Sequence, residues 1–391
     1  MDAPSNSPDR LTAWLLIGVM TAGNPSRRAE FLAAFGSLER AAAAPIEEWD
    51  RFSLLRFSGG NDIFAPARPG PGGNRNAWVA GQLAAARALG AEIVPLDDPR
   101  YPAWLRTLPD PPAVLHILGA PETLAHPAVA VVGARVATPY GLGVGKALGR
   151  DLVAAGYAVV SGGARGIDSA AHRGALDAGG VTIAVMGSGL DVPYPKENGK
   201  LFEQIAVSGA VVSEFPFGTG PQARFFPFRN RIIAGLAHGV VVVEGARESG
   251  SLITARLAAD FGREVFAVPG PITSPLSDGP HELIQAGAKL VRRLGDILEE
   301  LPFSPQRPEP QGLLGDSGGG SGANGGADIN NDAVPGGAAI LAALDAHGGS
   351  TADELSAALG LAPGELLGSL LELELMGRIQ QWPGGRFVRK V

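Results

Sequence analysis

Cysteine is absent from this chain of 391 residues. Its absence excludes disulfide frameworks, cysteine-ligated zinc, iron–sulfur clusters and thiol catalysis. Aromatic residues make up only 6% and charged residues 18% of the chain, and the formal net charge is −7. A negative chain carries no general positive potential, so any nucleic-acid site has to be local. Hydrophobic residues still reach 45%, which excludes a wholly disordered chain.

Long apolar runs are also missing. The longest run near the start, residues 11–20 (LTAWLLIGVM), is shorter than the roughly 20 residues that a membrane-spanning helix needs. It lacks the basic flank and the cleavage site of a signal peptide, because Asp2 and Asp9 outnumber Arg10 ahead of it. We therefore expect a core helix in a cytoplasmic protein without membrane contact. The six histidines are scattered, so we expect neither a metal nor a cofactor.

Four regions are predicted from breaks in composition and periodicity. Residues 1–64 have helical apolar spacing and predict a small helical domain of the SAM or helix-hairpin kind. The Pro/Gly-rich segment 65–74 separates them from an α/β region, residues 75–302. Residues 303–335 are rich in Gly, Ser, Pro and Asn and predict a flexible linker. Residues 336–391 show three helices and a hairpin, the order of a winged helix.

The α/β region alternates short apolar runs with helical segments. Near-continuous Val, Ile and Ala runs are typical of parallel strands that are buried on both faces. The strands are predicted at 128–132, 158–161, 182–186, 210–213, 240–243 and 265–268, and the helices at about 141–154, 168–178, 196–207, 230–237 and 250–261. This order predicts an extended Rossmann-like, doubly wound parallel sheet.

Three of the predicted strands end in glycine-rich loops. The first loop contains Gly133 and Arg135, the second runs from Gly162 through Gly163 and Arg165 to Gly166, and the third contains Gly187 and Gly189. Glycine at strand-to-helix turns lets backbone N–H groups and helix dipoles converge on an anion. One such loop is more often a simple tight turn. Three at one sheet edge, two of them with arginine, favour phosphate binding.

Motifs for known nucleotide sites are incomplete. The first loop has one glycine before Arg135, and the third has Val192 in place of the last glycine of G-x-G-x-x-G. Gly145-Lys146 is followed by Ala147, so the ATP-binding pattern G-x-x-x-x-G-K-[ST] is absent too. Dinucleotide and ATP sites are therefore both weakly supported.

The segment RFFPFRNR, residues 224–231, packs three phenylalanines and three arginines into eight positions. Arginine neutralises phosphates while an aromatic ring stacks on a base, a combination that suits single-stranded nucleic acid. The alternative is that Phe225 and Phe228 anchor the core and the arginines are solvated. We expect a division in which Phe226 lies at the site.

Acid–base catalysis is the competing interpretation. Asp168 and His172 lie four residues apart on one predicted helix, and Glu214 ends a strand. Such a pair can transfer protons, but it is more often a helix cap with a hydrogen-bonded partner. The chain has no G-x-S-x-G motif after a predicted strand and offers no nucleophile, so we expect that the protein is not an enzyme.

Six motifs occur in order over residues 95–295 and resemble the signatures of the DNA-processing protein DprA/Smf family. They are VVGARVATPYG, SGGARGIDSAAHRGAL, GSGLDVPYPKEN, SEFPFGTGPQARFFPFRNRIIAGLA, VVVEGARESGSLITARLAADFGREVFAVPG and GPHELIQAGAKLV. The resemblance implies an extended Rossmann fold, a helical N-terminal domain and a C-terminal winged helix. It also implies single-stranded DNA binding, dimerisation and loading of the recombinase RecA during natural transformation.

The resemblance places the DNA-binding pocket at Arg135, the 162–166 loop and the 224–231 segment. The candidate DNA-binding residues are Gly133, Arg135, Gly162, Gly163, Arg165, Gly166, Gly187, Gly189, Arg224, Phe226, Arg229, Asn230, Arg231, Ser249, Gly250 and Ser251. The same resemblance places self-association near residues 281–290. There we expect Leu283 and Ala288 to face inward, and His281, Ile284 and Leu290 to belong to a homodimer interface. The plain alternative is that the whole apolar stripe packs on the sheet.

Two departures from the family concern the flanking domains. The N-terminal segment TAGNPSR stands where a glycine hairpin is usual, which argues against DNA binding there. The predicted recognition helix, about Pro363 to Met376, carries Glu365, Glu372 and Glu374 and no basic residue, so it does not suit duplex phosphates. The basic residues Arg378, Arg386, Arg389 and Lys390 lie on the wing, where contact with protein or weak contact with DNA are both open.

The fold also resembles the lysine-decarboxylase-like phosphoribohydrolases, a class of nucleotide-binding enzymes. Their motif P-G-G-x-G-T-x-x-E is lost, because the corresponding residues 244–251 are EGARESGS. This loss favours the DNA-binding interpretation over the enzymatic one.

Overall fold

The computed structural model describes residues 8–45, 48–49, 74–301, 339–341, 343–344, 350–362, 366, 368–370, 373–374, 379–382 and 386–389. The chain divides into two compact units, Met1–Gln311 and Gly312–Val391. Each unit has a hydrophobic core of its own. Apart from Asn74, the two predicted linkers, 65–74 and 303–335, lie outside the described residues.

A nine-stranded sheet forms the centre of the first unit. Its strands are β1 (Glu92–Pro95), β2 (Val114–Gly119), β3 (Ala128–Val132), β4 (Ala158–Ser161), β5 (Thr182–Val185), β6 (Ala210–Ser213), β7 (Gly239–Val242), β8 (Glu264–Ala267) and β9 (Lys289–Leu290). They are arranged in the order β1-β2-β6-β5-β4-β3-β7-β8-β9.

The pairing of the strands confirms the Rossmann-like fold and corrects one detail. Neighbouring strands are parallel throughout the part of the sheet with the order β6-β5-β4-β3-β7-β8-β9, as expected. The sheet is nevertheless mixed, because β2 pairs antiparallel with both β1 and β6. The strand order reverses at β3, which lies between β4 and β7. Such a reversal opens a crevice at the carboxyl ends of the strands, where ligands bind in open α/β sheets.

Helices cover both faces of the sheet. They are α4 (Arg75–Leu89), α5 (Ala103–Arg106), α6 (Pro139–Ala154), α7 (Ile167–Asp177), α8 (Gly199–Ser208), α9 (Phe225–Leu236), α10 (Gly250–Asp260), α11 (Asp278–Gln285) and α12 (Leu294–Leu298), preceded along the chain by α1 (Pro8–Thr21), α2 (Pro25–Phe35) and α3 (Leu38–Ala43). Strand β3 shows why both faces need covering: Val129 and Val131 pack into one core cluster, whereas Ala130 and Val132 pack into another.

Helix α9 begins at Phe225, five residues before the predicted start at Asn230. Pro227 does not prevent this, because the first N–H groups of a helix have no partner within it. The whole Arg–Phe segment after Arg224 is therefore helical. Helical phase, rather than position in a loop, decides which of its side chains share a face.

The N-terminal helices pack against the α/β core. Trp14 is fully buried in α1, which confirms a core helix there. In α2, Phe31 packs edge-on against Trp49 at a ring distance of 5.2 Å, whereas Leu32 is 40% exposed. Among the described helices, none is long and apolar enough to cross a membrane.

The second unit contains a three-stranded antiparallel sheet in the order β10 (Ser350–Thr351), β12 (Arg386–Arg389), β11 (Ile379–Trp382). Helix α13 (Ala352–Leu359) starts with a capping box of Thr351 and Glu354. The strands confirm the predicted hairpin, although its turn at 383–385 lies outside the described residues. Of the predicted recognition helix, residues 366, 368–370 and 373–374 are helical, whereas Pro363, Glu365, Glu372 and Met376 lie outside the described residues, as do Arg378 and Lys390.

Candidate functional site

A cavity of about 520 Å³ opens where the strand order reverses. Residues after β3 and β7 line it, together with the first turns of α9 and α10. This volume lies in the usual range for small-molecule sites, roughly 300–1,000 Å³. We refer to it as the main cavity.

The loop after β3 brings Gly133 and Arg135 to the main cavity. A Cβ at Gly133 would lie 2.6 Å from Cγ1 of Ile167 and 2.8 Å from the carbonyl oxygen of Glu244, so this close approach requires glycine. The Arg135 side chain is exposed. The loop thus places a solvated cation at the cavity rim.

The loop after β4 is held by hydrogen bonds to buried side chains. The Asp168 carboxylate accepts hydrogen bonds from the N–H groups of Gly162 and Ala164, at 3.1 and 3.3 Å. The Asn198 amide donates to the Gly163 carbonyl oxygen at 2.9 Å. The N–H groups of Gly162 and Ala164 are therefore occupied. Fewer backbone N–H groups of this loop are left for a phosphate than its glycine content indicates.

Two glycines of this loop adopt positive φ angles, +62° at Gly163 and +73° at Gly166. A Cβ at Gly163 would lie 2.4 Å from the Phe202 ring, and one at Gly166 would lie 2.2 Å from the Ala134 carbonyl oxygen. Both positions therefore need glycine for backbone conformation and packing. Neither residue lines the main cavity.

Helix α9 presents Phe226, Arg229 and Asn230 to the main cavity. These positions are spaced i, i+3 and i+4 and so share one helix face. Phe226 is half-buried, and the guanidinium carbons of Arg135 and Arg229 lie 5.0 and 6.0 Å from its ring centroid. The predicted division holds for the other rings, since Phe225 is fully buried and Phe228 packs in the same small cluster.

Arg229 is a buried cation in the wall of the main cavity. Only 4% of the residue is exposed, and its Nη1 donates to the Gly162 carbonyl oxygen at 2.9 Å. Burial lowers the pKa of Arg229 to about 10, an effect that the Asp168 carboxylate opposes. The guanidinium therefore stays charged at neutral pH. Its Nε is buried without a hydrogen-bond partner.

The N-terminus of α10 closes the main cavity. The Ser249 side chain does not cap this helix, because its hydroxyl pairs with the Ser251 hydroxyl at 2.7 Å. The Asn230 amide donates to the Gly250 carbonyl oxygen at 3.0 Å and so ties α9 to α10. Uncapped N–H groups and the helix dipole favour an anion at this position.

Several predicted residues lie elsewhere. Arg165 lines a smaller adjoining cavity together with Gly162. Gly187 and Gly189 line neither cavity. A Cβ at Gly187 would lie 3.0 Å from the Phe226 ring, so this glycine makes room for the ring. Arg224 is exposed and donates to the Gln222 side chain at 3.1 Å, outside both cavities.

Arg231 faces away from the main cavity, contrary to the expectation that it binds DNA. Its Nη2 donates to both carboxylate oxygens of Glu214, at 2.7 and 2.8 Å, and lies 3.8 Å from Asp110. Asp110 in turn pairs with Arg28 of α2 at 2.8 Å. Arg231 lies five positions after Phe226, which places it on the opposite face of α9. This chain of charges connects α9 to the N-terminal helices.

The Asp168–His172 pair does not form. His172 is fully buried, and its Nδ1 lies 2.7 Å from the Thr182 hydroxyl. Burial lowers the pKa of His172 to about 3 and raises the pKa of Asp168. The histidine is therefore a neutral core residue, and Asp168 holds the loop after β4.

Asp168 was expected to be a helix cap, and its carboxylate instead holds the loop after β4. Three further residues of the main cavity were not predicted from the sequence: Glu248, and Ile253 and Thr254 of α10. Ile253 and Thr254 lie one turn after Gly250, so helical spacing from the predicted N-terminus would have placed them on the cavity side.

The predicted dimer segment forms the end of α11 and strand β9. Leu283 packs against the core, whereas Leu290 is 37% exposed and Ile284 is half-buried. Ala288 is half-buried as well. His281 bonds through Nε2 to the Gly270 carbonyl oxygen at 3.0 Å.

Residues 92–302 match the family model of DNA recombination-mediator protein A, and residues 331–385 match the DprA winged helix domain. The chain belongs to the DprA/Smf family. The first match spans the whole sheet and both walls of the main cavity, and the second confirms the winged helix.

Relatives in this family cover most of the chain. DNA processing protein DprA of Bacillus subtilis is 45% identical over 56% of this chain and 74% of its own length. Protein Smf of Escherichia coli is 40% identical over 75% of this chain and 76% of its own length. The X-ray structure of DprA from Streptococcus pneumoniae superposes with a TM-score of 0.60 at 34% identity, covering 76% of this chain and all of that one.

Proposed function

We propose that the chain binds single-stranded DNA in the main cavity and loads the recombinase RecA onto it during natural transformation. The observation that carries the first part is the half-buried Phe226 ring, with the guanidinium carbons of Arg135 and Arg229 at 5.0 and 6.0 Å from its centroid. An aromatic face beside two cations can stack a base and hold its phosphate together.

Single strands suit this arrangement better than duplexes. A base can reach Phe226 only when it has left its stack, because the ring lies in the wall of a cavity. Backbone and stacking contacts carry little sequence information, so we expect weak sequence preference.

In this proposal the anion contacts come from three sources. Arg135 at the rim is free to follow the DNA backbone, and Arg229 supplies a fixed charge in the wall. The N-terminus of α10 offers uncapped N–H groups at Gly250 and Ser251, whereas the N–H of Ser249 donates to the Ala246 carbonyl oxygen at 3.0 Å. The glycine loops shape the cavity and hold Phe226 in place rather than binding most of the phosphate.

RecA loading and homodimerisation are supported by membership of the DprA/Smf family. We propose the dimer surface at the end of α11, with Ile284 and Leu290 facing the partner. A dimer would carry two main cavities and could hold two stretches of one strand.

We further propose that the chain does not turn over nucleotides. Glu244, at the place of the phosphoribohydrolase motif, is 5% exposed. Its carboxylate accepts hydrogen bonds from the N–H of Thr138 at 2.9 Å and from the Thr138 hydroxyl at 2.5 Å. A carboxylate fixed at the start of α6 is not available for acid–base work. Incubation with AMP should release no free adenine, and detected release would support the enzyme instead.

The deciding experiment compares the affinity for a single strand with that for a duplex of matched length, by fluorescence anisotropy across a salt series. Wild type should prefer the single strand, and Arg135→Ala should weaken binding and flatten its salt dependence. Arg150→Ala is the control, since Arg150 is exposed and pairs with Asp151 away from both cavities. Equal affinity for the duplex would refute the proposal.

RecA loading needs its own assay. The assay uses single strands that are already covered by a single-strand-binding protein. On these strands RecA should hydrolyse ATP only when the wild-type chain is added. Arg135→Ala should lose this stimulation in proportion to its lost DNA affinity. Strand binding without any stimulation would remove RecA loading from the proposal and leave DNA binding intact.

A further inference from the structure

A second, smaller cavity of about 40 Å³ adjoins the main cavity. Its charged and aromatic lining consists of Arg135, Arg165, Arg229, Tyr194 and Phe226. None of its described lining residues is acidic, whereas Asp168 and Glu248 line the main cavity. The smaller cavity is thus the more strongly cationic of the two.

The volume of the smaller cavity limits what it can hold. On this measure about 10–15 Å³ is enough for one water molecule, so the smaller cavity has space for one group of a few heavy atoms. A base with its sugar is larger than that. Three arginines around a space of this size fit one phosphate group, whose attached base would have to lie outside.

The two cavities share a wall. Arg135, Ala164, Phe226 and Arg229 line both of them. A strand whose base lies against Phe226 in the main cavity can therefore place a neighbouring phosphate in the smaller one. Phe226 therefore borders both positions.

Tyr194 provides a surface for the base outside. Its ring is 40% exposed, and its centroid lies 5.5 Å from that of Phe226 at an interplanar angle of 48°. The two rings are thus successive aromatic surfaces at the lip of the smaller cavity. Sequence reasoning did not select Tyr194, because no arginine-rich segment surrounds it.

Arg165 can exchange its partner for a phosphate. It forms an ion pair with Glu197, and both side chains are at least half exposed. Exposed ion pairs contribute little free energy, about 0–1 kcal/mol. A phosphate in the smaller cavity would therefore compete successfully with the Glu197 carboxylate.

We infer that the smaller cavity is a phosphate subsite for the nucleotide next to the one at Phe226, and that Tyr194 stacks on the base of that nucleotide. This inference rests on the proposed function, because it assumes a single strand in the main cavity. It adds Tyr194 as a second stacking residue and makes Glu197 a competitor of the DNA phosphate.

The first test measures the affinity of Tyr194→Ala for oligothymidylates lengthened one nucleotide at a time. Affinity should drop about tenfold for strands long enough to reach Tyr194, as expected for one lost stacking contact. The shortest strands that bind should be unaffected. Tyr194→Phe should restore the affinity, because the ring does the stacking. Tyr140→Ala is the control, since Tyr140 is 51% exposed and lines neither cavity.

The second test uses Glu197→Gln, which frees Arg165 without touching either aromatic ring. Binding of long strands should become about two- to fivefold tighter, the fold-change that corresponds to one exposed ion pair. Its control is Asp177→Asn, which removes the same charge from the exposed Lys146–Asp177 pair outside the cavities. Both controls should bind as wild type does.

The outcomes separate this inference from the proposed function. If wild type prefers single strands but Tyr194→Ala and Glu197→Gln behave like their controls, the second subsite is wrong and the proposed function stands. If wild type does not prefer single strands, the proposed function itself fails. An equal loss for Tyr194→Ala at every strand length, with a lowered melting temperature, would also overturn the subsite, because it would indicate a structural role.

Discussion

The guanidinium carbon of Arg135 lies 5.0 Å from the ring centroid of Phe226. At this distance a cation is attracted to the face of the ring. Arg135 lies in the loop after β3 and Phe226 in the first turn of α9, and they meet where the strand order reverses at β3. A nucleotide bound beside this pair would meet a charge for its phosphate and a ring for its base.

Phe226→Ala should weaken single-strand binding by about 1–3 kcal/mol with little change in salt dependence, because stacking releases no counterions. Phe225→Ala should instead lower stability and leave single-strand binding by the folded protein nearly unchanged. Phe225 is fully buried, so its truncation should lower the free energy of unfolding by about 3–5 kcal/mol. Chemical denaturation and anisotropy, measured on both variants, separate the two roles. Equal loss of affinity in both would refute the assignment of Phe226.

Arg229→Ala should reduce both binding and stability. We expect the slope of log affinity against log salt to fall by about 0.7, the value for one lost phosphate contact on a single strand. The variant also leaves the Gly162 carbonyl oxygen and the buried Asp168 carboxylate without their cation. Arg135→Ala should show the same slope change at wild-type stability. An unchanged slope in both variants would mean that neither side chain meets phosphate.

Ile284→Glu should yield a folded monomer. In a two-fold symmetric contact one substitution counts twice, so two like charges would meet near the axis. The variant should still bind short strands but load RecA poorly. Light scattering at micromolar concentration is the measurement, with Val207→Glu as control because Val207 is a 90% exposed apolar residue of α8. A monomeric wild type, or an unfolded variant, would contradict the proposed interface.

Stability should decrease in mild acid. Burial lowers the pKa of His172 to about 3 and that of His116 to about 4, against 6.5 in the unfolded chain. The unfolded state therefore binds protons first, and stability that is present above pH 6.5 is lost as the pH falls towards 4. Each histidine should cost about 2 kcal/mol at pH 5.

His172→Asn tests this pH dependence. The Thr182 hydroxyl donates to the Val159 carbonyl oxygen, so it accepts from Nδ1–H of His172, a bond that an asparagine amide can replace. The variant should have a flatter dependence of unfolding free energy on pH. The exposed His126, changed to Asn, should leave the dependence as in wild type. An identical slope for His172→Asn would show that this histidine is not the titrating group.

The six central strands were predicted because runs such as AVAVV at residues 128–132 are apolar at every position, as burial on both faces requires. Strand β1 was missed, since it is four residues long and its first residue, Glu92, is exposed. Strand β9 has only two residues. Edge strands of this kind carry too little periodicity to be found from sequence. Strand β2 was missed as well, although it has six residues and lies inside the sheet, and its antiparallel pairing depends on tertiary contacts.

The sequence predicted which residue types form the site better than it predicted where each side chain lies. Phe226, Arg135 and Arg229 meet as expected, because each follows or starts a regular element. Arg231 could not be placed correctly while α9 was expected to begin at Asn230. Nor does the sequence reveal that Asp168 occupies the N–H groups of its own loop, since that bond depends on the turn at Gly166.

The charge chain from Arg28 through Asp110 reaches Arg231, which also pairs with Glu214 and lies on the helix that carries Phe226 and Arg229. A genetic screen for loss of strand binding should therefore recover substitutions at Arg28, a residue that lines neither cavity. Without the Arg28 charge, Asp110 and Glu214 would share Arg231 alone. This would weaken the attachment of α9 on the face that carries Arg231. The N-terminal helices thus support the helix on which the proposed DNA contacts depend, and their removal should weaken strand binding even though Arg28 lines neither cavity.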